Sequence, residues 1–115
     1  MAKPDKQTAL QQIKEAAASS SRTLSNADFS GLDLSGAQLA DLRLSAVKMK
    51  GTNLTGANLA GAVGFNADLS GALLRNADLR GAVLSAVKLE GADFSGANLT
   101  AAVIMSGKAK GSLFK

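Results

Sequence analysis

The chain has 115 residues, room for one domain, with 13 basic and 9 acidic side chains and neither histidine nor cysteine. Those two absences exclude imidazole general bases, Cys–His nucleophiles, disulfides and the common zinc ligand sets. Phe29, Phe65, Phe94 and Phe114 are the only aromatics although 46% of the chain is hydrophobic, so a narrow core built by repetition of small apolar side chains is expected.

The N-terminal stretch 1–25 carries Lys3, Lys6, Lys14 and Arg22 against Asp5 and Glu15. Within it, residues 5–20 are strong helix formers, and Leu10, Ile13 and Ala17 fall on one stripe. Pro4 stands before this segment and Ser19–Ser21 follow it. A short helix that covers the end of whatever comes next is the simplest reading. A membrane-surface helix would want Trp or Phe on the stripe and a basic polar face, and both are missing. No apolar leader-like segment and no run of about 18 apolar residues is visible, so a cytoplasmic location and no membrane association are expected.

From Ala27 onward the chain has a period of five. The repeating apolar position, here called i, holds Phe29, Leu34, Leu39, Leu44, Met49, Leu54, Leu59, Leu69, Leu74, Leu79, Leu84, Leu89, Phe94, Leu99 and Ile104, with Gly64 as the single break. Position i−2 is most often Ala, i−1 is usually Asp, Asn or another polar residue, i+1 is often Ser or Thr, and i+2 is commonly Gly. Sixteen such units fill residues 27–106 without insertion. Five is neither 3.6 nor 2, which rules out a plain amphipathic helix and a plain alternating strand. Each unit reads as a short extended piece, in–out–in over three residues, followed by a corner.

Longer spacings give the number of corners. The triplet at 46–48 returns at 86–88, that at 26–28 returns at 66–68, and Val63, Val83 and Val103 recur every twenty residues. Four units per coil is the period that stacks like on like, which predicts coils 26–45, 46–65, 66–85 and 86–105. Asp28, Lys48, Asp68 and Lys88 then form a vertical ladder of alternating sign on a first face. On the fourth face (residues 42–46, 62–66, 82–86 and 102–106) the outward positions hold Val63, Val83, Val103, Phe65 and Met105, where other faces carry polar groups. A contiguous exposed apolar stripe marks an interface, so these five residues are the candidate interaction face. Gly64 either leaves a void between Leu44 and Leu84 or lets Phe65 move inward.

The units at 57–61, 67–71, 77–81, 92–96 and 97–101, ANLAG, ADLSG, ADLRG, ADFSG and ANLTA, resemble the pentapeptide-repeat family, whose pattern is A(D/N)LXX. The resemblance implies an all-β, right-handed quadrilateral β-helix with i and i−2 filling the shaft. The expected organisation is a capping helix in 1–25, a four-coil β-helix in 26–106 and a tail in 107–115, where Leu113 and Phe114 plug the last coil or meet a second copy.

No catalytic, cofactor-binding or metal-ligating residue is expected. Asp28, Asp33, Asp68, Asp78 and Asp93 sit at the outward i−1 position without a cleft to shift them, and a filled shaft offers no small-molecule pocket. The expected function is a non-enzymatic structural or interaction module that binds a protein partner or itself. The alternative carried by the resemblance is a DNA mimic that modulates a type II topoisomerase. Against it, residues 26–106 hold six basic and seven acidic side chains, a near-neutral surface, whereas duplex DNA carries a charge about every 1.7 Å. The three lysines of the tail, with no arginine or interleaved aromatic stacking surface, are a poor nucleic-acid site.

Overall fold

The computed structural model of the protein describes residues 4–24, 26–108 and Gly111. Its first element, α1, is an α-helix over Lys6–Ala18. Asp5 starts it from an extended conformation, its carboxylate accepting the Thr8 N–H at 2.8 Å, one of the donors that a helix start leaves open. At the other end the Ser19 N–H and hydroxyl both donate to the Ala16 carbonyl. The helix buries Ala9, Ile13 and Ala16, with Leu10 at the margin and Ala17 exposed. This differs from the expected Leu10–Ile13–Ala17 stripe. Ala9, Ile13 and Ala16 carry the helix's share of the core, and the bulk of Leu10 packs at its edge.

From Thr23 onward the chain pairs with itself twenty residues later, always in parallel. Thr23 pairs with Arg43, Asp28 with Lys48, Asp33 with Asn53 and Gln38 with Asn58, and the same offset repeats upward as Lys48–Asp68, Asn53–Leu73 and Asn58–Asp78. Three stretches are long enough to be strands: β1 (Val63–Phe65), β2 (Val83–Lys88) and β3 (Val103–Lys108), in the order β1-β2-β3. They too are offset by twenty, Val63 on Val83 on Val103, apart from a local shift where Val87 meets Ser106. The ladder therefore runs to Lys108, beyond residue 106 where the repeats were expected to stop. A constant offset in which each coil touches only its neighbours is the arrangement of a solenoid.

The five-residue unit explains itself through its backbone groups. In the unit around Leu34, the N–H of Leu34 donates to Asn53 O at 2.8 Å and that of Gly36 to Thr55 O at 2.9 Å, both in the coil above. The N–H of Asn53 returns to Leu32 O at 2.9 Å. Between these, Ala37 N–H closes a corner on Leu34 O at 3.0 Å, with Gly36 at φ +72°. A turn whose third residue alone has positive φ is type II, and that residue is the i+2 position. Every i+2 residue from Gly31 to Ala101 has positive φ, including Asp41, Ala46, Asn66, Asn76, Ala86 and Ala101.

Inside the shaft, the i residues from Phe29 to Phe94 are all buried, while Leu99 and Ile104 are partly buried against the same core. Leu32, Leu42, Val47, Thr52 and Val87 stand where i−2 is otherwise mostly Ala, and all but the half-buried Leu32 are buried. Thr52, fully buried, satisfies its hydroxyl by donating to Phe29 O at 2.8 Å. Gly64 lies in the shaft without positive φ, and a Cβ there would stand 3.1 Å from Leu84 Cδ2 and 3.8 Å from Leu44 Cβ. Neighbouring side chains have closed over the missing one, and Phe65 stays outside at 48% exposure. Neither sequence-based alternative for this position holds as stated. No described helix is long and apolar enough to cross a membrane.

Candidate interaction face

Every Asp and Asn at i−1 has the same occupation. The Oδ1 atoms of Asp28, Asp33, Asn53, Asn58, Asp68, Asp78, Asp93 and Asn98 each accept the backbone N–H of residue i+1, two positions on, at 2.9–3.1 Å. This Asx-type bond serves the corner, and it uses an atom common to both side chains, which explains why Asp and Asn alternate freely there. The sequence signal was present in the offset of two, but a polar side chain at an outward position reads as one that merely faces water until the corner is seen.

The carboxylates are tuned by this geometry. Asp93, largely buried, is drawn down to about 2 by the Ser95 hydroxyl, by the Arg75 guanidinium at 2.7 Å and by the Ser95 N–H. Asp78 is lowered by its hydrogen bonds with Arg80, which reach both carboxylate oxygens at 2.9 and 2.7 Å. On the first face, partial burial alone would raise Asp68, but hydrogen bonds from Ser70 and the charges of Lys88 and Lys50 bring it down on balance. Asp28, Lys48, Asp68 and Lys88 are stacked in that order by the backbone register. Asp33, lowered chiefly by Ser35, also faces Lys6 of α1 at 3.6 Å, an exposed pair of small energetic weight. Among the described residues no cluster of His, Cys, Asp and Glu has metal-site geometry.

The fourth face is built differently. Above Thr23 its i−1 column reads Arg43, Val63, Val83, Val103, with no corner-serving Asp or Asn. Its trailing corners turn on Ala46, Asn66 and Ala86 at positive φ, and β2 runs straight through one of them with a register shift between Ser85 and Val87. The large apolar side chains exposed among the described residues are Phe65, Val103 and Met105, at 48, 47 and 57%, and all three lie on this face. Val63 and Val83 are half-buried beside them. In the second column Ser85 separates Phe65 from Met105, so the apolar surface is continuous along the valines and interrupted beside them. Arg43, Ser45, Val63 and Phe65 line an open groove of about 290 Å³ at the lower end. Leu113 and Phe114, the other candidates for a contact, lie outside the described residues.

A family model described as pentapeptide repeats matches eight copies, over residues 23–61, 37–81 and 65–100. The chain belongs to the pentapeptide-repeat family. Its architecture is thus the right-handed quadrilateral β-helix of that family, in keeping with the twenty-residue offset and a corner every fifth residue. Among solved structures, a trypsin-treated form of QnrB1, a plasmid-mediated fluoroquinolone resistance protein, is 28% identical, with a TM-score of 0.67 over 75% of this chain and 44% of its own. AT2G44920, a pentapeptide repeat protein of the Arabidopsis thaliana thylakoid lumen, is 33% identical, with a TM-score of 0.50 over 82% of this chain and 63% of its own. Full-length QnrB1 shares the fold at 24% identity, with a TM-score of 0.68 over 80% and 60% of the two chains. The chain spans less than two thirds of the length of each of these structures. No curated protein matches it by sequence.

Proposed function

We propose that this pentapeptide-repeat chain is a non-enzymatic interaction module whose fourth face, Val63, Phe65, Val83, Val103 and Met105, binds a protein partner or a second copy. The reading takes residues 26–106 as four coils, residues 1–25 as a segment whose helix caps the first coil, and 107–115 as a tail. One observation carries it: the exposed large apolar side chains among the described residues collect on a single face, the face whose i−1 residues do not serve the corners. Burying that surface stabilises a complex by roughly 25 cal/mol per Å² of apolar area before the entropic cost of association. Light scattering and a pull-down compare wild type with a Val83→Asp, Val103→Asp variant. Loss of a dimer or of a captured protein supports the reading. A variant equal to wild type in mass and capture profile removes it.

A second reading has support from the likeness to a fluoroquinolone resistance protein. In it the rod mimics DNA and modulates a type II topoisomerase. The near-neutral repeats and a longest dimension of 31 Å favour the first reading. Inhibition of supercoiling by the purified chain at micromolar concentration would decide for the second.

A further inference from the structure

We infer that the fourth face receives an extended acidic-aliphatic segment of a partner protein, with a carboxylate on Arg43 and aliphatic side chains on the valine column. This rests on the fourth face being an interface and names what the interface takes. Arg43 stands one rung below Val63 in the parallel register, so a cation terminates the valine column at its lower end. Among the described residues Arg43 enters no ion pair. Asp41, two residues before it, has its carboxylate against Gly61. Arg43, itself exposed, lines the open groove together with Ser45, Val63 and Phe65. A planar guanidinium at the end of an apolar floor suits a carboxylate, which it can hold by two parallel hydrogen bonds, and it repels an ammonium group.

Dimensions choose the occupant. Arg43 to Val103 is three rungs, about 14 Å at the usual strand spacing. An extended peptide advances about 3.4 Å per residue and turns alternate side chains to one side. Residues one, three and five of a pentapeptide therefore cover about 14 Å, matching two aliphatic side chains followed by one acid. A strip of that size is far below the roughly 800 Å² that each partner contributes to a stable interface between folded proteins. It fits a segment better than a second copy.

The probe is an acetylated pentapeptide amide, Leu-Ser-Leu-Ser-Asp, titrated at millimolar concentration into isotope-labelled full chain while backbone amide shifts are followed. A control carries Lys in place of Asp. We expect shifts at Val63, Phe65, Val83 and Val103, and binding of the acidic peptide about two- to five-fold tighter than the control, a preference that fades at high salt. Arg43→Glu is expected to reverse the preference and Arg43→Gln to erase it, with an otherwise unchanged spectrum showing that each variant folds. Equal binding of both peptides on this face would overturn the acidic assignment while leaving the interface standing. Shifts elsewhere or none would overturn both. A peptide-free dimer abolished by Val83→Asp, Val103→Asp would assign the face to a second copy and overturn the inference.

Discussion

At the scale of single residues, the outward Asp and Asn side chains are structural parts of the corners. Asn58 Oδ1 accepts the Ala60 N–H at 3.0 Å, and Asn58→Asp keeps that acceptor whereas Asn58→Ala deletes it. Chemical denaturation is expected to show the alanine variant less stable by about 1 kcal/mol and the aspartate variant close to wild type. A cost as large for aspartate as for alanine would show that the side chain acts through something other than its Oδ1. Asp93 makes a second residue-scale prediction. Its folded value of about 2 lies below the roughly 3.9 of an unfolded aspartate, so the unfolded chain binds the proton more readily. The stabilisation is complete above about pH 4 and is lost as pH falls toward 2. Asp5, Asp33, Asp68 and Asp78 are shifted in the same direction and add to this acid sensitivity. A thermal melting series from pH 5 to 2 should be flatter for Asp93→Asn than for wild type, and superimposable slopes would remove Asp93 from the account.

At the scale of the five-residue element, the corner imposes a left-handed residue at i+2 whichever side chain occupies it. Glycine fills most of these positions, but Ala46, Ala86 and Ala101 take the same φ, which costs an L-residue about 1–2 kcal/mol. Those strained corners are flanked by backbone pairs to a neighbouring coil, Ala46 N–H to Phe65 O, Asn66 N–H to Ser85 O and Gly81 N–H to Thr100 O. The shaft shows the converse, a position whose space has been surrendered. Leu84 Cδ2 stands 3.1 Å from where a Cβ on Gly64 would be, so Gly64→Leu is expected to overpack the shaft and lower stability by about 1–3 kcal/mol in a denaturant titration. Raised stability would show that the shaft holds room for a side chain at that point.

At the scale of the whole molecule, one hydrophobic core joins α1 to every coil, from Ala9 through Phe94. Nearest-neighbour contacts of this kind couple each layer to the next, so calorimetry should record a single transition. If the helix acts as a cap, removing residues 1–21, and with them the buried Ala9, Ile13 and Ala16, is expected to lower the transition midpoint or cause aggregation. A separate low-temperature transition in the full chain, or an unchanged midpoint without residues 1–21, would argue against the helix as a cap. The far end differs in kind. Leu99 and Ile104 are partly buried where their counterparts one coil earlier, Leu79 and Leu84, are closed off. The ladder nevertheless continues past them, with Lys108 paired to Lys88 and Gly111 above Gly91 at φ +79°.

The sequence by itself determined the period of five, the shaft residues from Phe29 to Ile104, the twenty-residue stacking and the helix-forming N-terminal stretch. All of these are consequences of repetition, since a side chain that recurs every fifth residue must find the same environment each time. It also placed Val63, Val83 and Val103 in one column, because equal spacing is equal position in a coil. Tertiary structure alone decided which face of α1 is buried, since Leu10–Ile13–Ala17 and Ala9–Ile13–Ala16 are both good stripes and helical period does not choose between them. It decided that Phe65 stays in solvent over a closed Gly64, because how far Leu84 can lean is a matter of packing that no one-dimensional pattern encodes. It gave the outward Asp and Asn their work at the corners, which exists only once the backbone bends back within reach of its own side chain. And it left Arg43, which the twenty-residue spacing already sets under Val63, outside any ion pair among the described residues and beside a groove with Ser45, Val63 and Phe65.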